Sequence, residues 1–236
     1  MSSCTRAIMP RVHRIHYRFG IVLCLILVTV TFTLAAPGGD LGRFIAVVLQ
    51  AAVLVAAVVA SRAHRSVIML SLVAAIVGIV GTAAALFGSG QFGNASAELV
   101  ALLYVVLTPP ALISGLRKQF EDAGAVTMQT MFGVLCIYLL IGLLFGVAYA
   151  TVDQLSSTPF FAQAGSHGRD DFLYFSYTTL TTVGYGDLVA ATNLGRSLAI
   201  AEALLGQLYL VSVVAVIISN MEAVRPGQRR TRRKTV

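Results

Sequence analysis

Thr181-Thr182-Val183-Gly184-Tyr185-Gly186-Asp187 is the stretch whose reading decides the fold. Two glycines alternate with Val183 and Tyr185 behind a pair of threonines. Glycine takes φ > 0 without steric cost, so glycine at alternate positions lets successive peptide units turn their carbonyls to one side. A row of carbonyls facing one axis is a ligand set for a weakly hydrated cation, and the Thr182 hydroxyl extends it by one oxygen. One strand of this kind supplies only part of a coordination shell. Four copies about an axis complete it, so the segment predicts a homotetramer.

Working outward, Asp171-Phe172-Leu173-Tyr174-Phe175-Ser176-Tyr177-Thr178-Thr179-Leu180 precedes the heptapeptide. Gly186-Asp187-Leu188, then Gly195-Arg196 and a long apolar segment, follow it. Thr-Val-Gly-Tyr-Gly is itself the sequence of the potassium-channel selectivity filter. With these flanks, residues 130–222 resemble the pore domain of prokaryotic-type six-transmembrane potassium channels: outer helix 130–150, pore helix 171–180, filter 181–187, inner helix 195–219. The resemblance says much less about residues 1–129. It implies that carbonyls of Thr182, Val183, Gly184 and Tyr185, with the Thr182 hydroxyl, replace the water around K+ in fourfold repetition. Closely spaced sites then admit the ion and release it through mutual repulsion. Relatives with an acidic residue in place of Tyr185 also conduct sodium, so Tyr185 implies potassium selectivity. A glycine-rich re-entrant loop of a transporter is the competing reading. Such backbone is tolerated at membrane depth only where it lines a cavity or is buried in protein, so that reading implies transport too.

Supporting positions follow from the same resemblance. Thr181, Gly186 and Asp187 complete the filter and its outer end. Asp170-Asp171 suit a helix N-terminus, where carboxylates accept from free amides and complement the dipole. Tyr174 and Phe175 stand where many relatives carry two tryptophans bracing the filter, and this chain has no Trp. Tyr174 keeps a hydroxyl for Asp187, whereas Phe175 can only pack; both also fit plain interfacial aromatics. Thr178 stands where some relatives place a carboxyl that pairs with this Asp, a pairing absent here. Glu202 is the one acid well inside the last apolar span. A charge there must find protein or water, so it either braces the pore helix near Tyr177 or Thr178 or sits at the interface. Gln207, Leu210, Val214, Ala215 and Ile218 recur at three- and four-residue steps. On the resemblance this stripe lines the inner cavity and gate, with Gly206 as hinge; ridge packing on another helix gives the same stripe. Gly142 and Gly146 form a small-x-x-x-small pair suited to close helix approach.

Composition bounds the rest. Of 236 residues, 57% are hydrophobic and 11% charged, against about 25% charged in soluble domains. The reading is an all-α membrane protein, with four N-terminal transmembrane helices over 19–116 before the pore domain. The spans are Phe19–Ala36, Phe44–Ala60, Val67–Phe87, Ala97–Leu116, Thr130–Ala150 and Leu198–Ser219. The first also fits a secretory signal peptide. Pro109-Pro110 should kink or break the fourth, and Arg117–Asp122 reads as a polar connector within a cytoplasmic linker, 117–129. Three cysteines (Cys4, Cys24, Cys136) have no metal-type spacing and read as small hydrophobes.

A cytoplasmic N-terminus puts Arg6, Arg11, Arg14, Arg18, Arg62, Arg65, Arg117, Lys118 and six basic tail residues inside, 14 of 17 Lys+Arg. Arg43, Arg169 and Arg196 fall outside, as does the filter mouth. Both termini are then cytoplasmic in a plasma-membrane protein. Ala97–Leu116 contains no Arg or Lys and one acid, Glu98. Charge moved across a membrane contributes about 2.3 kcal/mol per 100 mV, so strong voltage dependence by that route is not expected. The arginine-dense tail, 223–236, is too short for a ligand-binding domain and offers a surface for anionic lipids, or simple cytoplasmic retention. K+ is the expected ion, with no other cofactor and no nucleic-acid partner. The residues carry no nucleophile–base set, phosphate loop or metal cluster, so the chain does not read as an enzyme. A modulatory channel subunit and a potassium-transporter subunit are the alternatives.

Overall fold

A bilayer offers no partner to backbone amides and carbonyls, so apolar stretches crossing it must satisfy those groups internally, as helices. The computed structural model describes residues 18–35, 39–61, 65–87, 92–123 and 128–223. These form α1 (Arg18–Ala35), α2 (Asp40–Ala60), α3 (Arg65–Phe87), α4 (Phe92–Ala123), α5 (Met128–Leu155), α6 (Arg169–Leu180) and α7 (Asn193–Ala223). The chain is an all-helical, multi-pass membrane protein. Leu41–Ala60, Arg65–Ala83, Gln129–Leu155 and Asn193–Val213 are long and apolar enough to cross a membrane. Phe19–Ala35 and Leu102–Arg117 are shorter apolar helices. The 18 residues of α1 reach about 27 Å at 1.5 Å each, just under the ~30 Å hydrocarbon core. The basic segments expected at the two ends lie outside the described residues, save Arg18 and Ala223.

The fourth helix runs through its prolines. α4 is continuous over 32 residues with Pro109 and Pro110 inside it, so the prolines do not break it. They remove two amide donors, but packing holds the helix on both sides. Tyr104, Val105 and Leu112 are buried, and Thr108 Oγ1 donates to the Tyr104 carbonyl at 2.6 Å. The polar connector expected at 117–122 is likewise helical. Arg, Lys, Gln and Glu are good helix formers, and no glycine or proline intervenes before Ala123.

α5 is the wall shared by the N-terminal bundle and the last two helices. Phe19, Val22 and Ile26 of α1, Ala57 of α2 and Leu112 of α4 join Leu140, Leu143 and Val147 of α5 in one buried cluster, which Leu173 of α6 completes. Deep burial of its inner face makes α1 part of this body. A second cluster ties α2 to α3 and α4 through Leu54, Ala75 and Tyr104, whose hydroxyl donates to the Ala74 and Ala75 carbonyls. On the other side of α5, Gly142 and Gly146 receive α6. A Cβ on Gly142 would lie 2.5 Å from Cε1 of Tyr177, and one on Gly146 3.1 Å from the Leu173 Cα. The two steps of four residues match, so the small-residue stripe seats the short helix along its length.

Candidate ion pathway

α6 opens at Gly168, whose amide donates to Asp171 Oδ2 at 3.3 Å; His167 Nδ1 lies 3.0 Å from the same oxygen. Its C-terminus feeds directly into the heptapeptide. Thr181 N donates to Tyr177 O, Thr182 N to Thr179 O, and Val183 N and Gly184 N both to Thr178 O, at 2.9–3.1 Å. In a trans peptide the N–H and C=O point oppositely. Amides turned back onto α6 therefore direct the Thr181, Thr182 and Val183 carbonyls away from it. The alternation continues: Thr182, Gly184 and Gly186 have φ of 59°, 52° and 81°, and Val183 and Tyr185 between them do not share it. All seven residues from Thr181 to Asp187 are exposed on one open face of the single chain.

Thr182 was not among the residues expected at positive φ. A β-branched side chain there is a genuine outlier that persists only where its surroundings impose it. Here the Thr182 and Val183 amides are anchored on α6, and Gln207 Nε2 donates to Thr182 Oγ1 at 3.3 Å.

Tyr174 and Phe175, adjacent in sequence, serve different places. Tyr174 Oη donates to Asp187 Oδ2 at 2.8 Å, and its ring lies parallel to that of Tyr185, centroids 6.4 Å apart. That hydrogen bond first, then burial and the charges of Asp187 and Tyr185, hold the Tyr174 phenol above its ordinary range. Phe175 points into a buried cluster with Tyr149, Phe160 and Phe161, centroids 5.3–5.9 Å away. Only the tyrosine reaches the filter. Thr178 acts through its main chain, because its carbonyl receives both filter amides while its hydroxyl donates to Phe175 O.

Glu202 is fully buried within the chain. Its carboxyl group accepts from Tyr149 Oη of α5 at 2.6 Å and lies 2.5 Å from Ser176 Oγ of α6, whose single proton is shared with the Gly142 carbonyl at 2.6 Å. The partners are not Tyr177 or Thr178. Each residue turns a helix by about 100°, and Ser176 is the one aimed at α7. Tyr177 instead donates to Leu139 O at 2.7 Å.

Gly206 meets the end of α6, where a Cβ would lie 2.7 Å from the Leu180 carbonyl oxygen. That is a close approach of two backbones at the residue expected to be a hinge. Leu210 and Ala215 are exposed on α7; the side chains of Val214 and Ile218 lie outside the described residues. Other polar ties were not foreseen. Tyr209 Oη donates to Val134 O, Tyr138 Oη to Leu180 O, and the two rings stack at 6.0 Å. Flanking α6 and the heptapeptide, Phe161 and Ala190 form an antiparallel bridge, Phe160 N donates to Asp153 and Arg196 Nε to Ala190 O. This strap joins the chain before α6 to the chain after the filter. A bridge this short has no sequence periodicity to find.

The ion channel family model matches residues 137–223. Two pore potassium channel a of Oryza sativa subsp. japonica is 38% identical over 88 residues, 37% of this chain and 22% of that relative. Potassium voltage-gated channel subfamily A member 5 of Rattus norvegicus is 35% identical over 85 residues, 34% and 14% of the two chains. Two pore potassium channel b of Oryza sativa subsp. japonica is 34% identical over 103 residues, 44% and 26%. The match thus spans 14–26% of these relatives' length. The family is one of ion channels rather than enzymes. Its model begins within α5 and ends with α7, taking in α6 and the filter but none of α1–α4. Residues 137–223 thus match an ion-channel family model, and the relatives similar to this region are potassium channels by name.

Proposed function

We propose that this chain forms a homotetrameric, potassium-selective channel that passes K+ passively down its gradient. The observation that carries the reading is the alternation of left-handed Thr182, Gly184 and Gly186 with their neighbours, amides held on α6 and carbonyls turned to the open face. When four copies converge, the Thr182 and Val183 carbonyls, joined by those of Gly184 and Tyr185, take the place of the ion's water. Assembly about this face is supported by what lies on it. Leu204, Leu208 and Val211 of α7 are more than half exposed in the single chain, beside the exposed filter. Tyr185 supports selectivity for potassium over sodium.

The N-terminal bundle does not supply a voltage sensor of the arginine-rich type, because Leu102–Leu116 of α4 carries no Arg or Lys. Six membrane crossings with both termini in the cytoplasm fit the placement of the basic residues. The test is flux through the purified full chain in liposomes. Potassium efflux that external barium inhibits, and that Gly184→Ala abolishes, supports the reading. A wild-type chain that is silent at every imposed potential and lipid composition overturns it in favour of a modulatory subunit.

A further inference from the structure

We infer that Gln207 is a positioning residue for the innermost cation site of the filter, acting through Thr182. The inference rests on the channel reading above and deepens it.

Thr182 is the first filter residue, and its hydroxyl is the only side-chain oxygen among the expected ion ligands. An unrestrained threonine hydroxyl rotates and divides its lone pairs among several directions. Here the oxygen is held, because Gln207 Nε2 donates to Oγ1 at 3.3 Å across 25 residues of sequence. That donation takes up one lone pair and leaves the other in a fixed direction for a cation.

The reach of Gln207 is set by its neighbour. Gly206 brings α7 against the end of α6, with no room for a Cβ beside the Leu180 carbonyl. Tyr138 Oη donates to that same carbonyl, and the Tyr138 ring stacks on Tyr209. The turn of α7 bearing Gln207 is therefore locked in register with the base of the filter. Thr182 adds a second reason for restraint. Its backbone sits at φ 59°, a conformation costly for a β-branched residue, and a tether on its side chain opposes relaxation. Gln207 itself is exposed on the open face, so its carboxamide does not serve packing within the subunit. In a fourfold assembly, four such carboxamides ring the cytoplasmic entrance to the filter.

Barium suits the test, since it is close to K+ in size, doubly charged, and meets Thr182 first when added from the cytoplasmic side. The measurement is its half-inhibitory concentration for potassium flux through the full chain in liposomes, for wild type, Gln207→Met, Thr182→Ala and the double variant. Gln207→Met keeps length and volume while removing the donor. It is expected to weaken barium inhibition about tenfold, the scale of one neutral hydrogen bond lost, with potassium-over-sodium preference retained. In the Thr182→Ala background the same change is expected to have no further effect, because the group it acts on is gone. Calorimetric titration of barium into the detergent-purified tetramer reads the same affinities for any variant that does not conduct. Unchanged affinity in Gln207→Met, or an equal loss with and without the Thr182 hydroxyl, would overturn the inference while potassium flux in the wild type leaves the channel reading standing. A silent wild type would overturn the channel reading and this inference with it.

Discussion

Gly184 is where residue-scale physics is least forgiving. Its φ of 52° costs an L side chain about 1–2 kcal/mol, and fourfold symmetry would repeat the cost in each subunit. Gly184→Ala is expected to abolish potassium flux while the protein still purifies as an oligomer; retained flux would show that the alternation is not what makes the pathway. Tyr174→Phe is milder. It deletes the hydroxyl that donates to Asp187 and keeps the ring stacked on Tyr185. Channels of this variant are expected to lose conduction faster in low external potassium, and single-channel open times would measure it. Glycine spacing made the positive φ of Gly184 and Gly186 legible, because the need for φ > 0 is a property of one residue and its neighbours. Thr182 was not legible in the same way. Its positive φ comes from two anchored amides and a glutamine 25 positions away, none of which a local rule contains.

At the scale of elements, three helices meet on one carboxylate. Glu202 of α7 accepts from Tyr149 of α5 and lies against Ser176 of α6. Glu202→Ala strands the buried Tyr149 hydroxyl, while Ser176 keeps the Gly142 carbonyl at 2.6 Å; one stranded hydroxyl costs about 1–3 kcal/mol, so a drop in melting temperature is expected. Equal melting temperatures for wild type and Glu202→Ala would remove the brace from the account. Gly142→Val is a separate probe of the α5–α6 seat. The first atom of its side chain already meets the Tyr177 ring at 2.5 Å, and overpacking of this kind costs about 1–3 kcal/mol. That a membrane-embedded acid needs a partner was legible from Glu202 alone. Which partner was not, since it depends on how three helices are rotated about their axes. The proline pair leaves the helix unbroken for a related reason. Its local effect is to remove amides, but burial of Val105 and Leu112 on either side of it holds α4 together.

For the whole molecule, the proposed pathway is completed only by further copies of the chain. Native mass in detergent is expected at four times the 25.0 kDa of one chain; a monomer or dimer that still conducts would require a different pathway. The bundle of α1–α4 is bound to the pore domain through buried contacts on α5, yet its fourth helix lacks a row of basic residues. Open probability is therefore expected to change only shallowly with membrane potential. Helical class and the order of the spans were legible from hydropathy, whereas the packing of α1 and α4 on α5 was not, because apolar faces in lipid carry little contrast between neighbour and solvent.

The most direct measurement is the reversal potential of currents from the purified chain in a planar bilayer with potassium on one side and sodium on the other. At equal concentrations, a reversal displaced from zero by about 59 mV for each tenfold preference for potassium, with currents lost in Gly184→Ala, is the predicted result. Currents that reverse near zero under the same gradient would mean that sodium passes as readily as potassium, and would contradict the assignment of Thr182 to Tyr185 as a potassium-selective filter.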